Sequence, residues 1–146
     1  MMTPTFAGDI RELSPSVLAY IGDAVFDLFV RLHLVSTGIG KSGILHKHAI
    51  LHVRAKAQAD ASRVLLPELT PAELAVFRRG KNSNPASMAK SASPVDYKYA
   101  TGLEALIGFL YLTNQQPRLE EILSRILEIE LNQKNWEESA YEPRTT

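Results

Sequence analysis

The stretch LAYIGDAVFDLFVR, residues 18–31, decides the fold. Leu18, Ile21, Val25, Leu28 and then Leu32 recur at helical spacing, while Tyr20, Phe26, Val30 and Leu34 occupy the remaining faces. A helix that is apolar nearly all round belongs at the centre of a domain. Between Glu12 and Arg31 the only charges are Asp23 and Asp27, one turn apart on the same face. The helix is expected to start at Ser14-Pro15, a capping hydroxyl followed by a first-turn proline, and to end by Gly38.

Outward from this segment the pattern stays helical. A second helix is expected over 42–66, stopped by Pro67. Thr70-Pro71-Ala72-Glu73 combines a cap, a first-turn proline and a capping-box acid, and opens a short helix expected to stop near Gly80. The run GKNSNPASMAKSAS, 80–93, reads as a loop. Ser93-Pro94 starts a fourth helix running to about Asn114, and an amphipathic fifth follows Pro117 through LEEILSRILEIEL. No segment alternates with period two and no repeat is present, so the fold class is all-α, a single domain over 1–146 with its core at about 13–135 and a polar, frayed tail after Trp136.

Composition removes several function classes. With 146 residues, 45% of them apolar, the chain can bury one core. It contains no cysteine, which excludes disulfides, thiolate metal sites and a catalytic thiol. MMTPTFAGDIREL has neither the basic start nor the apolar run of a signal peptide, and no spanning segment follows, so a cytoplasmic protein is expected. Sixteen basic residues balance sixteen acidic ones, so any grip on nucleic acid must come from a local patch.

The fourth helix repeats the oddity of the first. From Ala100 to Pro117, Glu104 is the only acid or base apart from the Tyr111 phenol, among Leu103, Leu106, Ile107, Phe109, Leu110 and Leu112. A lone carboxylate in such company needs a cation, a strong hydrogen-bond partner or a raised pKa. Two such acids on two apolar helices suggest a shared cation, whereas each taken singly is more simply a capping, paired or groove-edge residue. Oxygen ligands suit magnesium, with manganese as a substitute, the ions that support phosphodiester hydrolysis.

The run Gly22-Asp23-Ala24-Val25 resembles the signature helix of the ribonuclease III catalytic domain, and Glu104-Ala105-Leu106-Ile107-Gly108 resembles that domain's second acidic helix. Two signatures in order, each on an apolar helix, are far more specific than either alone. The likeness is closest to the Mini-ribonuclease III group, which has the catalytic domain without a separate double-stranded-RNA-binding domain, and the present chain is too short to be expected to carry one. Leu45-His46-Lys47-His48, Ala55-Lys56-Ala57-Gln58-Ala59, Arg79-Gly80-Lys81-Asn82 and Tyr97-Lys98-Tyr99-Ala100-Thr101 extend the likeness over roughly 13–130. Larger ribonuclease III enzymes have further acids where this chain has Ala19 and Thr101; the Mini group resembles the chain in that reduction, so water or RNA phosphate must complete the metal shell.

The resemblance implies a homodimeric, Mg2+-dependent endonuclease for double-stranded RNA, leaving 5′-phosphate and 3′-hydroxyl ends, with Asp23 and Glu104 as catalytic metal ligands. The implied substrate is the precursor of large-subunit (23S) ribosomal RNA, with a ribosomal protein as a possible helper. Non-catalytic RNA-binding or ribosome-assembly modules of the same fold remain the alternative. For RNA contact the candidates are Arg78, Arg79, Lys81, Asn82 and Lys90 around the 80–93 loop, with His46 and Lys56 on the second helix. His48 and His52 have the i, i+4 spacing of a metal pair, but no HExxH pattern accompanies them, which disfavours zinc. Asp27 is expected to play a surface or hydrogen-bonding role ahead of an outer-shell one. On α-helical wheel grounds, Phe26, Val30 and Leu34 are expected to need cover from a partner.

Overall fold

The computed structural model describes residues 6–36, 55–83 and 93–140, with 133–140 as backbone alone. Five α-helices lie in these stretches: α1 (Pro15–Ser36), α2 (Ala55–Leu65), α3 (Pro71–Lys81), α4 (Pro94–Leu112) and α5 (Gln116–Ala140). Short 3-10 turns precede α1 at Ile10–Glu12 and follow α2 at Leu66–Glu68. No strand occurs among the described residues, and the all-α expectation is met. The expected second helix is described only from Ala55, and 37–54 and 84–92 lie outside the described residues.

The helix starts follow from local chemistry. Thr70 Oγ1 accepts from the Glu73 amide at 3.2 Å, and Glu73 Oε1 accepts from the Thr70 amide at 2.9 Å, a complete capping box behind Pro71. Ser93 caps α4 in the same way, taking the Asp96 amide at 3.1 Å with Pro94 in the first turn. Asn114, with φ of 57°, turns the chain between α4 and α5, a left-handed conformation that asparagine tolerates well. The polar stretch after Trp136 continues as helix to Ala140 instead of ending the element.

α4 is the central helix, packed against α1, α2, α3 and α5. Its Leu103, Leu106, Ile107 and Leu110 are fully buried with Phe77 of α3 and Leu119, Ile122 and Ile126 of α5. Phe26, Val30 and Leu34 of α1 enter this same core, with Phe26 and Val30 at 0% exposure. The expectation that these three need a partner is therefore corrected. The apolar face left outside is Val17, Tyr20, Leu28, Leu32 and Val35, with Tyr20 79% exposed and Val35 63%. Because α1 is apolar on every side, periodicity alone did not distinguish its two faces.

A second difference concerns α3, which passes through Gly80 instead of stopping there. A Cβ at residue 80 would stand 2.8 Å from the Ala105 Cβ and 3.0 Å from the Gly102 Cα. That glycine serves helix packing, and Arg78, Arg79 and Lys81 consequently occupy the last turn of a helix, where cations complement the macrodipole.

Candidate metal and active site

The site begins with a backbone crossing. α1 and α4 meet at Gly22 and Gly108 so closely that a Cβ on Gly22 would fall on the Glu104 carbonyl oxygen, and one on Gly108 would fall on that of Leu18. The same Cβ at 22 would be 2.9 Å from the Gly108 amide nitrogen. Only residues without a side chain permit such an approach, as in close helix packing generally. The glycines of the two signature runs thus place the acids that follow or precede them, Asp23 and Glu104, side by side.

Neither acid is paired with a base among the described residues. Glu104 is half-buried and its pKa is raised to about 8, first by loss of hydration, then by the charge of Asp23, with Gln58 partly opposing the rise. Asp23 is exposed, yet its pKa is also raised, by partial desolvation and then by Asp27. The repulsion acts one way because Asp23 ionises first, while Glu104 is still neutral; Glu104 must then ionise beside an existing charge. A divalent cation between them would relieve both effects. Among the described residues no third acid or imidazole converges on the site, so two carboxylates are the donors present. They suit a hard, oxygen-seeking ion.

The positions where larger enzymes have acids are occupied otherwise. Ala19 is buried with Leu18, Val76 and Ala105, so a carboxylate there would enter an apolar contact between α1, α3 and α4. The Thr101 hydroxyl donates back to the Tyr97 carbonyl at 2.9 Å. Asp27 accepts from Arg31 Nε at 3.0 and 3.1 Å, a surface ion pair rather than a second metal-facing acid.

The basic residues are divided. Arg78, Arg79 and Asn82 are exposed at the end of α3, and Gly80 docks that end against Gly102 and Ala105, the stretch of α4 carrying Glu104. Lys81 lays its ammonium 4.8 Å from the centre of the Tyr99 ring, which Arg63 approaches at 4.5 Å. Lys56 reaches Asp60 at 3.1 Å but stays largely exposed. His46, His48, His52 and Lys90 lie outside the described residues.

Two buried polar residues carry roles that the sequence reading did not assign. Glu73 receives Arg118 of α5 through two bonds of 2.8 Å, beyond its capping task. Gln58 is 1% exposed beside Glu104. Glu73 gave no signal beyond its cap, because its partner is remote in sequence; Gln58 stood within the Ala55–Ala59 run of the family likeness but was given no role of its own.

The Ribonuclease III domain family matches residues 16–115. Fold and match together define an endoribonuclease domain of the ribonuclease III class. Mini-ribonuclease 3 of Brevibacillus brevis is 45% identical over 121 residues, covering 83% of this chain and 90% of that protein. Its counterpart from Symbiobacterium thermophilum is 46% identical over 111 residues, covering 76% and 85%. The chain belongs to the Mini-ribonuclease III family. A crystal structure of protein FN1578 from Fusobacterium nucleatum superposes with a TM-score of 0.74 at 28% identity, covering 84% of this chain and 98% of that one. The ribonuclease III family acts on double-stranded RNA and is generally dependent on divalent metal.

Proposed function

We infer that the protein is a magnesium-dependent endonuclease that cuts double-stranded RNA at Asp23 and Glu104, and that it matures the precursor of large-subunit ribosomal RNA. The observation that carries the catalytic reading is the glycine crossing, which sets two acids together with no base among the described residues to neutralise them. Asp23 and Glu104 would hold the cation, which supplies activation of water and stabilisation of charge on the attacked phosphate, leaving 5′-phosphate and 3′-hydroxyl ends. Manganese is the expected substitute. The crossing fixes where the carboxylates sit; burial of Glu104 strengthens its interaction with any cation by keeping water away.

RNA would be held at its backbone, as duplex RNA is read mainly by shape. Arg78, Arg79, Lys81 and Asn82 suit this task because α3 delivers them next to the acidic stretch of α4. His46, Lys56 and Lys90 remain candidates for the same surface. Selectivity for ribosomal precursor would then require a structural feature of that RNA or a bound ribosomal protein. No helix among the described residues is long and apolar enough to cross a membrane, in keeping with work in the cytoplasm.

The exposed stripe Tyr20, Leu28, Leu32 and Val35 supports a homodimer through α1, since so many large apolar side chains on one helix face favour a self-complementary contact. Sedimentation equilibrium should give twice the 16.2 kDa chain mass. For the active site, Asp23→Asn and Glu104→Gln should each abolish cleavage of long double-stranded RNA in Mg2+ while RNA binding survives. Normal cleavage by either variant would refute the assignment.

A further inference from the structure

α2 packs along α4 and brings Gln58 beside Glu104. Gln58 is 1% exposed, and its amide nitrogen has no hydrogen-bond partner among the described residues. Native interiors rarely tolerate such a donor unless it has a task. Around it on α2, Ala59 and Ala61 are fully buried apolar residues, and the Ser62 hydroxyl donates to the Ala59 carbonyl at 2.7 Å. The side chain of Gln58 is near enough to favour the charged form of Glu104, although Nε2 stands outside hydrogen-bonding geometry. An apolar residue of similar volume would fill the same place in the core at lower cost. The donor is therefore unsatisfied among the described residues and adjacent to the half-buried acid of the site.

We propose that Gln58 is a positioning residue whose amide donates to the Glu104 carboxylate when a divalent cation is bound, holding that carboxylate in its ligating orientation. The proposal rests on Glu104 being a metal ligand, as inferred above. Partners that orient a ligating group commonly change metal affinity 10–100-fold, by the general behaviour of such sites. Gln58 touches neither RNA nor the reacting phosphate in this role, so its loss should appear in the metal dependence and leave RNA affinity alone.

The test uses the full chain and Mn2+ alone as probe, with free ion followed by electron paramagnetic resonance. Gln58→Leu and Gln58→Met, which keep volume and remove the donor, should each weaken Mn2+ binding about tenfold. The Mg2+ concentration for half-maximal cleavage should rise by a similar factor, with metal-free RNA binding unchanged and the melting temperature unchanged or raised. Parent-like Mn2+ affinity in both variants would overturn the proposal. So would loss of helical structure in both, since Gln58 would then be a structural residue. Glu104→Gln, measured in parallel, separates the two claims. If it loses Mn2+ while both Gln58 variants retain it, only the role of Gln58 fails; if it binds as the parent does, the metal-site reading itself fails.

Discussion

Glu73 and Glu104 are both acids drawn into the interior of one small helical domain, and their environments push them in opposite directions. Glu73 sits at the start of α3 with the Arg118 guanidinium on both its oxygens, and its pKa is lowered, chiefly by those bonds. Glu104 sits at the α1–α4 crossing with a second acid for a neighbour and no base among the described residues, and its pKa is raised to about 8. Burial is common to the two; the partner differs. An acid satisfied by its own chain is holding the fold together, whereas an acid left with another acid has the electrostatic need that the cation proposed above would meet.

The largest effect should come from removing the geometry that brings the two acids together. Gly22→Ala places a methyl group against the Glu104 carbonyl, a main-chain atom that cannot rotate away. The helices must separate, at a cost of about 3 kcal/mol or more, and cleavage should disappear with the fall in melting temperature. A variant with parent-like melting and activity would show that the crossing is looser than described.

Next in size is the structural acid. Arg118→Ala leaves Glu73 buried without its base and should destabilise the domain by roughly 3 kcal/mol, as read by chemical denaturation. RNA cleavage per folded molecule should stay as it was, since Arg118 contacts Glu73, Glu68 and Glu121 and not the paired acids. The pH signs also separate the two sites. The folded-state pKa of Glu73 is depressed, so its stabilising contribution is present above the unfolded value of 4.5 and is lost as pH falls through the folded value.

Glu104 runs the other way. Its folded pKa of about 8 lies above the ordinary glutamate value of 4.5, so the contribution of its protonated form is full below the unfolded value and is lost as pH rises toward 8. Glu104→Gln should therefore exceed the metal-free parent in stability by a margin that grows between those limits, reaching at most roughly 5 kcal/mol. Saturating Mg2+ should shrink the margin by stabilising the parent alone. A margin that is flat with pH would mean that Glu104 ionises freely.

Much of this was legible in the sequence. The caps at Thr70 and Ser93 act through bonds to the next turn, so local sequence contains the whole interaction. Asp23 and Glu104 stood out because each is isolated in an apolar run. The core face of α1 was not legible, since Phe26, Val30 and Leu34 on one side and Leu28 and Leu32 on the other are equally apolar. Gly80 looked like a helix stop because its packing against Gly102 and Ala105 depends on a helix remote in sequence. The Glu73–Arg118 pair was hidden for the same reason, and Gln58 gains its meaning only once α2 lies against α4.

On the proposed function, Asp23 and Glu104 form a cation site in which Glu104 keeps its proton until the metal arrives. Calorimetric titration of Mn2+ into the metal-free protein at pH 7, repeated in buffers of different ionisation enthalpy, counts the protons released on binding. Release of most of one proton is expected from the parent and almost none from Glu104→Gln, because a pKa of about 8 leaves Glu104 largely protonated at that pH. Binding by the parent without proton release, or equal release by Glu104→Gln, would contradict it.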